Sequence, residues 1–487
     1  METTLLRRFA RPHFGALTCT CFCTAQVTAR SARLLSALPF RSQRLISSTP
    51  QPPPPPTTLR RPLIALGIET SCDDTCAAIV TSDRRILSEV LRTQHHLHEP
   101  MGGIVPKLAH HAHMRHLPEV VQEAIQKAGL GGDIQKIDVI AVTRGPGLAH
   151  SLGVGLNAAK TLAAALNKPL IGVHHMEAHA LTARLTTENP SLAKDRSAPP
   201  LSDASAHLLG SDPYPLFPFL TLLVSGGHTL LLIAHSVNRY TTLANTVDDS
   251  IGEAFDKSAR ELEIPWLPGR AGGPGASLEA FAKGSQNPTR YLDRLPIPMS
   301  LRSSKQEMKF SFAGLKSALA RIVLQEKAAG ILDEQRRMDL AAGFQHCAVT
   351  HLCQKVEQGL HTCHARGIQI TSLVISGGVG RNATLRAKME ELCQKYEDDI
   401  SKPNKEKMHG SRKSPTISDL QPTSSLSSLD RQPVRVICPP PKLCTDNAVM
   451  IAWTGLERFK EGLVDPYDID IVPKWPLDLL GTGIVPE

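Results

Sequence analysis

Three observations predict an α/β protein of two related lobes. Short apolar runs bounded by polar turns recur along the chain, two of them share one design, and long stretches of helical period lie between them. The first run, Leu63 to Ile68, reads as a buried strand that passes through the polar turn Glu69 to Thr75 into a second run, Ala77 to Val80. Phe219 to Val224, the turn Ser225-Gly226-Gly227-His228-Thr229, and Leu230 to Ala234 repeat that design, so each lobe is expected to open on a hairpin. A third small-residue turn, Ser376 to Asn382, follows the strand run Leu373-Val374-Ile375 and leads into a helical pattern from Ala383. Ala109 to Ala128, Gly153 to Leu166 and Leu340 to His364 carry the clearest helical periodicity.

The chain has 487 residues, 41% hydrophobic and 21% charged, as a globular protein with a large core requires. Residues 1–61 hold nine arginines, no lysine and one acid, Glu2, which accounts for the whole formal charge of +8. The remainder sums to zero, so bulk charge carries no nucleic-acid signal and only local patches could. Arg7, Arg8, Arg11, Arg30, Arg33, Arg41 and Arg44 in a Ser/Thr-rich, acid-poor stretch have the composition of a mitochondrial presequence. A secretory signal fits less well, because the arginines continue to Arg44 and threonines and cysteines dilute the apolar centre Gly15 to Ala25. The run Pro52 to Pro56 reads as an extended linker. No apolar run approaches the ~20 residues of a membrane helix, so no membrane insertion is expected. The eleven cysteines form no C-x-x-C pair, and most read as buried thiols in a reducing compartment.

Two segments look inserted: Asn189 to Pro218, rich in proline and serine, and Lys395 to Gln432, charged and then serine-rich. The expected organisation is a presequence and linker over 1–61, a first lobe over 62–188 completed by 440–475, and a disordered insertion over 189–218. A second lobe over 219–394, a disordered insertion over 395–432, and a return segment with a C-terminal tail over 433–487 follow.

The chemistry centres on His175 and His179. On a helix, residues four apart share one face with Cβ atoms about 6 Å apart. Two imidazole nitrogens can then close on one ion at about 2.0–2.1 Å, with a carboxylate completing the set. Asp446, in Leu443 to Asn447, is the candidate carboxylate, and such a set suits iron(II) and zinc alike. Glu177 lies two residues after His175, not one, so a zinc-peptidase reading lacks its general base on that helix face. The turns Glu69 to Thr75, Ser225-Gly226-Gly227 and Ser376 to Gly380 could each converge backbone N–H groups on a phosphate. Arg144 to Leu148 is a further glycine-rich loop, and no P-loop sequence occurs. Asp249 or Asp256 could face a ribose. The histidines between His95 and His116 read as a surface loop and helix rather than a second metal site.

These pieces resemble, in family order over roughly 62–475, the tRNA threonylcarbamoyl-adenosine transferase family in its mitochondrial single-chain form. The resemblance rests on Gly67 to Thr75, Gly145 to Leu148, His174 to His179, Leu223 to Thr229, Asp249 to Lys257, Phe310 to Lys316, Ser376 to Asn382 and Cys444 to Asn447. It implies a two-lobed actin/Hsp70/sugar-kinase-like (ASKHA) ATPase fold with duplicated mixed-sheet lobes, a fold that sugar kinases share. It also implies transfer of a threonylcarbamoyl group from threonylcarbamoyl-adenylate to the exocyclic amine of the adenosine beside the anticodon in tRNA, with AMP released. By that match His175, His179 and Asp446 are metal ligands for one divalent ion per subunit, iron or zinc. Leu223, Val224, Ser225, Gly226 and Gly227 meet the adenylate, and Asp256, Gly273, Ser277 and Asn382 are further substrate contacts. Asp73 is the candidate for taking the amine proton or orienting the amine. The expected partners are tRNA, threonylcarbamoyl-adenylate and a second copy of the chain, in the mitochondrial matrix. Lys309 departs from the acid that bacterial relatives often carry there, and Lys316, Arg321, Arg381 and Arg386 are candidates for a local tRNA patch.

Overall fold

Small and large residues alternate along β1 (Ile64–Glu69), and the alternation gives the strand two different neighbours. Leu66 and Ile68 face one core while Ala65 and Gly67 face another. The computed structural model describes residues 61–101, 103–188, 213–265, 273–298, 308–401 and 433–484. The expected presequence, but for Arg61, and most of both inserted segments lie outside the described residues.

β1, β2 (Asp74–Thr81), β3 (Ile86–Thr93), β4 (Val139–Gly145) and β5 (Leu170–His174) form a sheet of order β3-β2-β1-β4-β5. β1, β2 and β3 run antiparallel in turn, and β4 and β5 continue parallel to β1. The second sheet repeats this with β6 (Phe219–Val224), β7 (Thr229–Ser236), β8 (Arg239–Thr246), β10 (Ser372–Ser376) and β11 (Arg435–Ile437), and adds β9 (Lys309–Phe310) beside β8. β6 stands where β1 does: antiparallel to β7 and parallel to β10. The hairpin duplication predicted from two runs is thus a duplication of whole mixed sheets.

The helices are α1 (His95–His98), α2 (Pro106–Lys127), α3 (Ala149–Leu166), α4 (His175–Thr186), α5 (Ile251–Glu261) and α6 (Gly273–Ala282), then α7 (Ala313–Ala328), α8 (Glu334–Ala365), α9 (Ala383–Ser401) and α10 (Ala448–Lys460). Leu117, Val120 and Ala124 of α2 and Leu156, Ala159 and Ala163 of α3 cover the outer face of the first sheet. α5 to α9 cover the outer face of the second. α4 and α10 lie between the sheets, in a core shared by Ala65, Cys76 and Ala141 on one side and Phe219, Leu223, Leu232 and Val374 on the other. Two buried ion pairs cross-link these inner helices: Arg184 Nε to Glu457 Oε2 at 3.0 Å, and Arg458 Nη1 to Glu177 Oε1 at 3.2 Å.

The inner helix α10 approaches the first sheet closely because small residues face it. A Cβ added at Gly67 meets the carbonyl oxygen of Ala448 at 2.3 Å and the amide nitrogen of Ala452 at 2.5 Å, both backbone atoms that cannot rotate away. Gly67→Ala is therefore expected to destabilise by about 3 kcal/mol through overpacking. Denaturant unfolding measures this, and stability within error of wild type would show that α10 is free to withdraw.

Two expected boundaries are corrected. The first insertion was placed through Pro218, but Tyr214 is buried in the inner core, its hydroxyl 3.0 Å from Ser372 Oγ, and Arg184 bonds the carbonyl of Pro215. An aromatic body with a satisfied hydroxyl outweighs the local Pro/Ser composition. The second was placed from Lys395, but α9 runs to Ser401, anchored by Met389, Cys393 and Tyr396 in the outer core. The return segment is divided: β11 belongs to the second sheet, while α10 packs on β1, β2 and β4. The tail then bonds the first sheet through Asp465 and the second through Asp478, whose carboxylate accepts the amide of Thr242.

Candidate functional site

His174 ends β5 and starts α4. Its Nδ1 accepts the amide of Met176 at 3.1 Å, capping the helix, and its Nε2 donates to the carbonyl of Trp475 at 2.9 Å. Burial pushes its pKa down to about 3, consistent with a neutral ring. The helix therefore begins at His175, and one turn later it presents His179, with the two ring centroids 4.8 Å apart. Asp446 immediately precedes Asn447, the N-cap of α10. The Asn447 side chain accepts the amide of Met450 at 2.9 Å and donates to the carbonyl of Thr445 at 2.7 Å, which shapes the loop. Asp446 Oδ1 then lies 3.3 Å from His175 Nε2 and 3.1 Å from His179 Nε2. All three candidate donors fall within 4.8 Å of one another, and no other such cluster occurs among the described residues.

The donor set fits one divalent ion, and the surroundings favour it. Glu69, at the end of β1 and 1% exposed, faces His175 Nδ1 at 3.2 Å, while the amide of Ser71 and the hydroxyl of Thr143 donate to the same carboxylate. With Nδ1 of His175 directed at Glu69, Nε2 faces Asp446 and is the nitrogen left to bind an ion. Burial opposes charge on His175, but Asp446 and Glu69 override it and raise its pKa to about 10. Burial likewise pushes Asp446 up, and His175 and His179 override it and hold the carboxyl well below its usual range. The pocket stabilises positive charge at the point where the three donors meet. Glu69→Gln is expected to weaken divalent-ion affinity about 10- to 100-fold. A chelator-competition titration reads this, and unchanged affinity would remove Glu69 from the site.

Spacing and motif assign Glu69 no role; its one signal in the sequence is a charged residue closing an otherwise buried strand. Glu177, by contrast, is fully buried against Arg458 and turned from the donors, which removes the peptidase reading.

The Ser225-Gly226-Gly227 turn joins β6 to β7. It closes through Ser225 N donating to His228 O at 2.9 Å and His228 N donating to Ser225 Oγ at 3.1 Å. Gly226 and Gly227 are exposed. Leu223 and Val224 are not: their side chains enter the inner and outer cores, so the expected role of these two falls to the backbone at most. His228 was also overlooked. Burial, with His175 and His179 next, pushes its pKa to about 4, so a residue of the second-lobe turn senses the charge of the first-lobe donors.

The start of α5 abuts this turn, with Gly252 N donating to Ser225 O at 3.2 Å. Further along α5, Asp256 Oδ1 accepts the amide of Gly275 at 2.8 Å, which brings it to the Gly273 and Ser277 end of α6. Asp249 is instead paired with Lys257 at 3.2 Å and with Lys316, leaving Asp256 as the acid of the expected pair with no lysine partner among the described residues. Gly377, at φ 96°, passes directly over Val224, where a Cβ would meet the carbonyl oxygen at 2.4 Å. Glu279 of α6 accepts the amide of Ala383 at 2.9 Å, so Asn382 joins the same neighbourhood. Its side chain accepts from Leu385 N at 2.9 Å and donates to Gln345 at 3.0 Å, an N-cap role that accounts for both ends of the amide.

Asp73 lies half-buried in the turn between β1 and β2. Its neighbour Asp74 is pushed up to about 7 by burial and then by Asp73 and Asp446. Of the cations expected to form a patch, Lys316 is committed to Asp249, and Arg386 donates to the carbonyl of Gly380 at 2.6 Å; Arg321 is exposed. No helix among the described residues is long and apolar enough to cross a membrane.

The family model described as "TsaD: tRNA N6-adenosine threonylcarbamoyltransferase" matches residues 85–198 and 192–407. The chain is 36% identical over 433 residues to "Probable tRNA N6-adenosine threonylcarbamoyltransferase, mitochondrial" of Arabidopsis thaliana, covering 85% of this chain and 75% of that one. It is 38% identical over 436 residues to the tRNA N6-adenosine threonylcarbamoyltransferase of Cereibacter sphaeroides, covering 87% and 98%. Among solved structures it is similar to component A of the Acidaminococcus fermentans (R)-2-hydroxyglutaryl-CoA dehydratase, at 11% identity over 81% of this chain and 98% of that one, with a TM-score of 0.38.

Proposed function

The chain belongs to the tRNA N6-adenosine threonylcarbamoyltransferase family, and from that premise we propose a specific reaction. It transfers the threonylcarbamoyl group of threonylcarbamoyl-adenylate to the exocyclic amine of the adenosine adjacent to the anticodon, in mitochondrial tRNAs reading codons that begin with adenine. AMP is released. The observation that carries the reading is the convergence of His175, His179 and Asp446 from α4 and the start of α10.

In the transfer, the amine nitrogen bonds to the acyl carbon, the bond from that carbon to the phosphate oxygen breaks, and AMP leaves with the electron pair. One divalent ion, iron or zinc, held by His175, His179 and Asp446, supplies Lewis acidity toward the oxygens of the mixed anhydride. The protein's own part is binding and positioning. The exposed backbone of Gly226 and Gly227, in the turn that Ser225 closes, meets the phosphate, and Asp256, with Gly273, Ser277 and Asn382, holds the nucleoside. The amine is a poor nucleophile because its lone pair is delocalised into the ring, so placing it and removing its proton are the demanding steps. Asp73 takes that proton or orients the amine.

The arginine-rich residues 1–61 and the mitochondrial relative support action in the matrix. The chain acts as a homodimer through its first lobe, where Met101, Ile104 and Met114 are exposed. The deciding experiment incubates metal-loaded protein with threonylcarbamoyl-adenylate and unmodified mitochondrial tRNA, then seeks the modified adenosine by mass spectrometry. Absence of product from folded, metal-loaded protein overturns the reading.

A further inference from the structure

The histidines between His95 and His116, expected on the surface, do not all lie there. His113 is fully buried and His98 is 4% exposed, while their neighbours His95, His96 and His111 are exposed. The two buried rings belong to one hydrogen-bonded chain that ends on the turn between β1 and β2. Val105 N donates to His98 Nδ1 at 3.3 Å, and His98 Nε2 lies 3.2 Å from Gln94 Oε1. Gln94 Nε2 lies 3.4 Å from His113 Nδ1, which also faces Thr75 Oγ1 at 2.8 Å, and His113 Nε2 lies 3.0 Å from the carbonyl of Cys72.

The shorter contacts in this chain fit one set of proton positions. With a proton on Nε2 of each ring, His98 donates to Gln94 and His113 to Cys72, while Thr75 and Gln94 donate toward His113 Nδ1. A proton added to His113 Nδ1 would face the Gln94 Nε2 donor and would require the Thr75 hydroxyl to turn from donor to acceptor. Burial lowers the pKa of His113, in keeping with the neutral form.

The two groups that His113 holds, Cys72 O and Thr75 Oγ1, bracket Asp73 and Asp74. The other end of the turn is held from the metal side, where Leu148 N donates to Ser71 O at 2.8 Å and Ser71 Oγ lies 3.3 Å from His175 Nδ1. The turn is therefore clamped at both ends by buried groups, with its two carboxylates between the clamps.

We infer that His113 is a positioning residue: from α2 it fixes the β1–β2 turn, and so sets where Asp73 stands relative to the His175–His179–Asp446 centre. This rests on the transfer reaction proposed above for its kinetic consequence, but not for its structural one.

The test compares wild type with His113→Leu, His113→Gln and Thr75→Val. Leucine fills the space without either bond, glutamine can donate to Cys72 and accept from Thr75, and valine removes only the hydroxyl. Expected for His113→Leu is a fall in kcat of about 10²-fold from misplacement of the turn, with KM for the adenylate and bound metal unchanged. His113→Gln recovers most of the loss, and Thr75→Val reproduces part of it. Amide hydrogen exchange over Thr70–Cys76 rises in the leucine and valine variants while α2 stays protected.

Wild-type kcat, or unchanged exchange over the turn, in a folded His113→Leu protein overturns the inference. If that variant does not fold, the near-isosteric Thr75→Val decides in the same way. Should the wild-type protein show no transfer, the exchange measurement still separates a clamped turn from an unclamped one, so failure of the reaction and failure of the positioning role are distinguishable.

Discussion

His179→Ala is expected to abolish metal binding and threonylcarbamoyl transfer together while the fold survives. His179 Nε2 is one of three donors, with His175 Nε2 and Asp446 Oδ1, and its removal leaves one imidazole and one carboxylate. A metal acting as Lewis acid contributes several kcal/mol to stabilising transition-state charge, so loss of the ion lowers kcat/KM by about 10³-fold or more. The helix tolerates the change, because alanine has the highest helix propensity and α4 is held by Arg184–Glu457 and Glu177–Arg458 on either side. Elemental analysis, circular dichroism and the transfer assay together read the outcome. Full transfer by the metal-free variant would make the ion incidental.

Asp73→Asn is expected to lower kcat by about 10²- to 10⁴-fold if the carboxylate takes the amine proton, with KM for the adenylate little changed. The amide keeps the shape of the turn and removes the base. The pH profile separates the two roles left open for Asp73. A proton acceptor carries the acidic limb of kcat, and the variant loses it; an orienting group leaves the limb in place with a smaller fall. Asp74→Asn is the informative comparison, because Asp74 is the carboxyl in this turn raised to about 7 and one of its oxygens is buried without a hydrogen-bond partner. An unaffected Asp73→Asn alongside an inactive Asp74→Asn would move the role one residue along the chain.

Much of the fold was legible wherever one segment carries its own signal. Phe219 to Val224 is the observed β6 to the residue, and the periodicity of Leu340 to His364 lies within α8. β3, β8 and β9 gave no comparable signal, being partly exposed or only two residues long and held by pairing with strands already in place. Tyr214 and the end of α9 from Lys395 show the converse: local composition suggests mobile loops, and burial of a few apolar side chains against distant cores decided otherwise.

The candidate site divides along the same line. His175 and His179 could be paired from spacing alone, because an α-helix sets the relation of residues four apart whatever surrounds it. Strand–turn–strand duplication and the glycine turns were likewise local and readable. Tertiary structure alone decided that Asp446 meets both histidines, since that contact depends on α10 seating against Gly67 and on Asn447 shaping the loop before it. It also decided that Glu69 orients His175, that Leu223 and Val224 point into cores, and that one histidine of a histidine-rich stretch holds the turn carrying Asp73. The physical reason is that bond geometry propagates over a few residues, whereas burial and hydrogen-bond satisfaction are settled among segments far apart in the chain.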